Sequence, residues 1–358
     1  MNMLILTINP GSTSTKLGIF NGDRDGLKEL HTETIRHEAG ELAAFPTLIS
    51  QLGFRKELII RAVKNAGLEM GDIGGFIGRG GLIRSIESGC YKVNEAMLAD
   101  AGSGLQGVHA SNLGSLLAHA VAQTQGKDAY IADPVVVDEL MPEARISGHP
   151  LMERVSIFHA LNHKAIAKKH CKDHGLDYAE ANLIVAHMGG GVSVGAHRKG
   201  RVVDVNNALY GEGPFSPERC GTLPARQLID ICFSGKYTKE EICAMVQPKG
   251  GLVAYFGIND FKKAVEMAGT DEKARVVLDA MLYNIAKAVC ACAAALCGRA
   301  DAVLLTGGMA YSAYLVEYIT RRVEFIAPVY AYPGEDELWA LASAVFRVLT
   351  GEEEAKVY

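Results

Sequence analysis

Short apolar runs alternate along this chain with longer stretches whose apolar residues recur every three to four positions. The runs at 3–8, 17–20, 75–78, 129–132, 182–187, 302–306 and 324–327 are of the first kind. Each is bounded by Gly, Pro, Asn, Asp or a charge and is too short for a stable helix, so each predicts a strand. The spacing predicts helices over 54–66, 112–125, 159–174, 222–233, 271–296, 312–323 and 337–349. Strands and helices taken in turn imply an α/β protein.

Two of the strand pairs are joined through glycine. Ile8-Asn9-Pro10-Gly11-Ser12-Thr13-Ser14-Thr15-Lys16 has a glycine, hydroxyls and a lysine, the ingredients of a phosphate loop. It is not the G-x-x-x-x-G-K-[ST] loop: Thr15 stands in place of the second glycine and Leu17 in place of the hydroxyl. Leu17-Gly18-Ile19-Phe20 is a β-type run that the turn signal Asn21-Gly22-Asp23 ends, so a hairpin with a polar tip is predicted. Its backbone N–H groups and hydroxyls suit phosphate oxygens.

The second hairpin runs through His187-Met188-Gly189-Gly190-Gly191, and a further strand comes after it at Arg201-Val202-Val203-Asp204-Val205. Gly11 and Gly189 lie 178 positions apart, about the length of a domain. A duplicated fold is the economical reading: two related α/β domains, each giving a hairpin to a shared nucleotide cleft. The expected division is 1–150 plus about 338–358, and 151–337. A third glycine turn, Gly307-Gly308, comes directly after strand 302–306, where a backbone without side chains could approach an adenosine.

Composition narrows the partners. The 358 residues carry a net charge of −5, which argues against a nucleic-acid binder with a broad basic surface. Residues 4–8 are too short for a signal-peptide core, and the apolar run at 288–296 is too short to span a bilayer. Eight cysteines without a disulfide-scaffold spacing fit a reducing cytoplasm, and Cys290 and Cys292 read as core packing.

In this order the three glycine motifs resemble the superfamily of acetate and sugar kinases, heat-shock chaperones and actin. With Gly78–Leu82 (GRGGL), His187–Gly195 (HMGGGVSVG), Gly211–Arg219 (GEGPFSPER) and Tyr332–Leu338 (YPGEDEL), the whole chain resembles the acetokinase family. The resemblance implies two duplicated ribonuclease H-like (actin-like ATPase) domains around a nucleotide cleft. It implies ATP-dependent phosphorylation of a short-chain carboxylate with Mg²⁺, in a cytoplasmic homodimer or higher homo-oligomer. Where acetate kinases have His-Leu-Gly-Asn-Gly this chain has His187-Met188-Gly189-Gly190-Gly191, which moves the expectation from acetate toward longer acids; the resemblance as a whole implies butanoate, with isobutanoate or another short acid as the alternative. Cys220-Gly221-Thr222 also departs from the Ser-Gly-Gly that often comes after the arginine in butanoate-specific members.

Residue by residue, the resemblance assigns Asn9, Ser12, Ser14 and Lys16 to the first phosphate loop, with Asn9 near the metal. Gly189, Gly190 and Gly191 fall in the second loop, and Gly307 and Gly308 in the adenosine loop. Arg79 and Arg219 would hold the carboxylate and the transferring phosphoryl group, His187 would touch that group in flight, and His109 would line the substrate pocket. Asp133 would position the reactants. Among Glu335, Asp336 and Glu337, Asp336 is the expected magnesium ligand.

These residue types suit the problem. A carboxylate is already ionised at neutral pH and needs no general base; what opposes reaction is one anion attacking another. Arginines, which bind carboxylate or phosphate through a two-pronged fork, relieve that repulsion. His159 and His163 share a helix face at metal-ligand spacing, but with no third ligand evident they read as packing or cleft lining. Two rivals are a metal-dependent enzyme and a chaperone-like ATPase of the same superfamily. The acidic charge weighs against the first, and the lack of an added peptide-binding domain against the second.

Overall fold

The computed structural model describes residues 3–24 and 26–358, which form two compact units: 3–137 (less 25) with 336–358, and 138–335. The divisions at 137/138 and 335/336 differ from the expected 150/151 and 337/338.

In the first unit, β1 (Met3–Pro10), β2 (Ser14–Asp23), β3 (Gly26–Arg36), β4 (Ile73–Arg79), β5 (Cys90–Lys92) and β6 (Ala129–Ala132) form one sheet of order β3-β2-β1-β4-β6-β5. In the second, β7 (Asn182–Met188), β8 (Val192–Arg198), β9 (Arg201–Val205), β10 (Ala302–Gly307) and β11 (Val329–Pro333) have the order β11-β10-β7-β8-β9. Without β5 the two orders coincide. Each begins with three antiparallel strands, and the first strand then joins a parallel array with two later ones. The chain thus carries the same sheet twice.

Each sheet is covered by helices whose apolar stripes meet it. Leu113–Ala122 and Leu52–Asn65 build the first core with Leu6, Ile8, Phe76 and Ile131. The C-terminal helix Glu337–Leu349, bounded as predicted, packs on β1, β2 and β4 of the same unit. In the second unit the helix Glu272–Ala295 is long and apolar enough by length and composition to cross a membrane, more than the run at 288–296 suggested. Its Leu278, Met281, Leu282, Ile285 and Val289 recur at helical spacing and are fully buried with Ile184, Val303 and Leu305, as in the core helix of a folded domain.

Two expectations are corrected and one strand is added. Residues 324–327 are the turn after the helix Ala313–Val323, and the strand begins at Val329. Asn21-Gly22-Asp23 does not end β2: the strand continues through it, and Gly22 is needed because Phe346 packs where a Cβ would project. Strand β3 has no counterpart among the predicted runs because none of it is buried and its sequence is largely polar, as befits a sheet edge.

Candidate active site

Polar residues gather at the same end of each sheet. In the first unit β1, β4 and β6 run parallel, and Asn9, Arg79 and Asp133 stand at or just beyond their carboxyl ends. In the second, β7, β10 and β11 end at Met188, Gly307 and Pro333, next to Gly189–Gly191, Gly308 and Glu335. Ligands of open α/β sheets bind at this edge.

The first cluster is built on β1 and β2. Asn9 pairs directly with Lys16 across the ladder, so both point to one face, as does Ser14 two residues from Lys16. Buried Asn9 donates through Nδ2 to the Glu337 carboxylate. Arg79 donates through Nη1 to Asn9 Oδ1 at 3.4 Å and lies 2.9 Å from Glu337 Oε1. Around Arg79 the glycines of GRGGL are steric necessities. Cβ atoms on Gly78, Gly80 and Gly81 would meet Gly114, Pro134 and the Asn112 backbone.

Glu337, and not Asp336, is therefore the acid that meets Asn9 and Arg79. Asp336 accepts from Trp339 N at 2.8 Å and caps the C-terminal helix. A magnesium ion at this end of the sheet would find its oxygen donors in Glu337 and Asn9, in exchange for the Arg79 guanidinium that they now hold.

Asp133 is held in an unusual backbone conformation. Its φ is +39°, a left-handed value uncommon outside glycine and tolerated best by Asn and Asp. Ser88 Oγ and Gly89 N donate to Oδ1 at 2.6 and 2.8 Å, and Asp133 N donates to Gly89 O. His109 lies on an exposed loop, its Nδ1 accepting from Ser111 N at 3.2 Å.

The second cluster centres on His187 and Arg219. Asn162 Nδ2 donates to His187 Nδ1 at 2.7 Å, which leaves Nε2 as the protonated nitrogen, 3.4 Å from Glu335. His159 stacks on His187 with ring centroids 3.9 Å apart. His159 Nδ1 and His163 Nε2 both lie 2.9 Å from Ser193 Oγ, so these rings are hydrogen-bonded into the wall behind His187. Among the described residues no three His, Cys, Asp or Glu side chains are grouped to hold a metal.

Gly191 is glycine because the Arg219 guanidinium occupies the space of its Cβ. Arg219 donates to Ala208 O, while its buried Nε has no partner. Burial lowers its pKa from the usual arginine value. A half-buried guanidinium with an unused donor beside a glycine loop suits an arriving anion. Gly307 has φ +91° and sits against Met188, whereas a Cβ on Gly308 would meet nothing, leaving room above the backbone there.

Two site features were not read from the sequence. Glu335 faces His187, and Arg55, buried in the helix Leu52–Asn65, bonds the tip of the β1–β2 hairpin. An arginine on an amphipathic helix gives no local signal of burial.

Comparison with known proteins gives three findings. The sequence pattern described as "Acetokinase family" matches residues 151–328. Butyrate kinase 2 of Clostridium acetobutylicum is 50% identical over 359 residues, covering 100% of both chains. Among solved structures, Porphyromonas gingivalis acetate kinase superposes with a TM-score of 0.78 at 18% identity, over 97% of this chain and 100% of that one. A propionate kinase from Francisella tularensis gives 0.73 at 17% identity, over 96% and 98%. The likeness in structure assigns the fold: two actin-like ATPase domains in one chain.

Proposed function

Because the chain belongs to the acetokinase family, we propose that it transfers the γ-phosphoryl group of ATP to butanoate, giving butanoyl phosphate and ADP, and catalyses the reverse. The observation that carries this reading is the 50% identity, over the full length of both chains, to a protein named butyrate kinase.

The chemistry is governed by charge. A carboxylate oxygen forms a bond to the γ-phosphorus as the bond to the β,γ-bridging oxygen breaks, and that electron pair leaves on ADP. No proton is gained or lost, so the protein has to neutralise and align rather than abstract. Arg79 and Arg219 hold the carboxylate and the transferring oxygens, and the unpartnered Arg219 Nε is one donor available for this. His187 offers its Nε2–H to the phosphoryl oxygens, with Asn162 fixing the tautomer and Glu335 facing that nitrogen. Asp133, held by Ser88 and Gly89, orients the reactants.

Ser12, Ser14, Lys16 and Gly189–Gly191 serve the phosphates, Gly307 and Gly308 the adenosine, and His109 the substrate pocket. Glu337 and Asn9 hold magnesium, which neutralises phosphate charge when bound. The enzyme works in the cytoplasm as a homo-oligomer; the eight cysteines are free thiols, in keeping with a reducing compartment.

The test is acyl phosphate formation from Mg-ATP, trapped with hydroxylamine, on acetate, propionate, butanoate, isobutanoate and valerate. Highest kcat/KM on butanoate is expected. A preference for isobutanoate would revise the substrate, and no acyl phosphate from any acid would sink the reading.

A further inference from the structure

Arg55 has a side chain with 0% exposure, the largest fully buried side chain among the described residues. Its guanidinium makes six hydrogen bonds. Nη1 donates to Gly11 O (2.8 Å), Ser14 O (3.2 Å) and Thr15 Oγ1 (3.1 Å). Nη2 donates to Ser12 O (3.1 Å) and, with Nε, to Gln51 Oε1 at 2.8 and 3.1 Å. Every acceptor is neutral. Burial alone lowers its pKa, with no carboxylate acting against it.

A buried cation without a counter-charge is costly, even with its donors satisfied. The cost makes sense if an anion comes to the other side of the hairpin tip. The backbone supports this. In a trans peptide C=O and N–H point in opposite directions. Drawing Gly11 O and Ser12 O toward the guanidinium turns the following amides, Ser12 N–H and Thr13 N–H, away from it. Outward-facing N–H groups are what a phosphate-binding nest requires.

We propose that Arg55 is the positioning residue of the first phosphate loop. It fixes the loop carbonyls inward, and its uncompensated charge is completed by the nucleotide phosphates on the outer face. The inference rests on the proposed nucleotide binding but not on the identity of the acid.

The experiment measures ADP binding by calorimetry, thermal stability, and the KM values for ATP and butanoate, in the wild type, Arg55→Ala, Arg55→Lys and Gln51→Leu. In Arg55→Ala the Kd for ADP and the KM for ATP rise at least about tenfold while the KM for butanoate stays within about twofold. Guanidinium at millimolar concentration restores part of the affinity, and urea does not. Lysine cannot span several carbonyls, so Arg55→Lys recovers little. If Arg55→Ala does not fold, Gln51→Leu decides: it keeps the charge but frees the fork, and weakens ADP binding about threefold. Variants that lose thermal stability yet bind ADP like the wild type would overturn the proposal and leave the kinase reading intact. A wild-type protein without affinity for ADP would sink both.

Discussion

The two units use one sheet twice but stiffen their glycine hairpins differently. In the first, the tip between β1 and β2 is held from behind by Arg55, and its polar side chains come from the strands themselves. In the second, the tip between β7 and β8 carries three glycines and no functional side chain. Arg219 reaches it from a segment beyond β9, and Ser216 Oγ donates to Gly190 O. The first tip thus carries polar groups on its own strands and is backed by a guanidinium that bonds several of its carbonyls. The second borrows its cation from one side chain, and so depends more on that side chain keeping its place.

That difference predicts unequal responses to arginine removal. Arg219→Ala removes the side chain that fills the glycine tip and is expected to lower kcat about 10³-fold, with the magnesium dependence unchanged. Arg79→Ala leaves Glu337 without its cation and should cost about 10²-fold in kcat. Its half-saturating magnesium concentration should fall, since Glu337 loses a competing cation and gains uncompensated charge. Steady-state kinetics over a magnesium series separates the two. Equal losses with identical magnesium dependence would erase the distinction.

Glycine-to-alanine changes sharpen it. Gly191→Ala must push the Arg219 guanidinium aside, so about a tenfold or greater fall in kcat is expected in a folded protein. Gly11→Ala meets only Ser14 atoms at 3.4 Å, an ordinary contact, and should stay within about threefold. A reversal of this order would show that the first tip, and not the second, is the tightly fitted one.

Much of this arrangement was legible because it is local. A glycine turn between two apolar runs announces a hairpin whatever surrounds it, and both hairpins stand where expected. Repetition of the motif pointed to the duplicated sheet, which a single copy could not do. What the sequence concealed depends on distance. Arg55 meets a hairpin 40 to 44 positions earlier, and nothing in its neighbours marks it as buried. Glu335, Asp336 and Glu337 are chemically alike and adjacent, and only the start of the helix divides their tasks. One faces His187, one caps, and one meets Asn9 and Arg79. The last strand was misplaced because Ile326 and Ala327 are apolar for another reason: they close the core beneath the turn.

The units should also differ in acid. His163 and His197 in the second unit are fully buried, their rings stacked 5.5 Å apart, and burial holds both well below the usual histidine pKa. Repulsion from a neighbouring histidine and from the Lys164 ammonium pushes each in the same direction. In the first unit His37 is lowered too, by burial and then by Arg55. A histidine whose folded pKa is depressed binds more protons unfolded than folded. Its contribution is thus intact above about pH 6.5 and is lost as the pH falls toward the folded value. Each of the two buried rings should add a slope of up to about 1.4 kcal/mol per pH unit below that point. Urea titrations at pH 7.5, 6.5 and 5.5 on wild type, His197→Gln and His37→Gln would check this. The expected outcome is a flatter pH dependence in His197→Gln than in His37→Gln.

The smallest effect isolates the helix cap from the chemistry next to it. Asp336→Ala removes the side chain that accepts from Trp339 N and should cost about 1 kcal/mol of stability, seen as a lower urea midpoint at unchanged slope. Its kcat and its magnesium dependence should match the wild type, because the carboxylate that meets Asn9 and Arg79 belongs to Glu337. Glu337→Gln, one residue on, should do the opposite: the cap stays, stability changes little, and the magnesium concentration for half-maximal rate rises several-fold. If Asp336→Ala instead raised the magnesium requirement, the side chain now seen as a cap would have to leave Trp339 in the working enzyme, and the division of labour among the three acids would be redrawn.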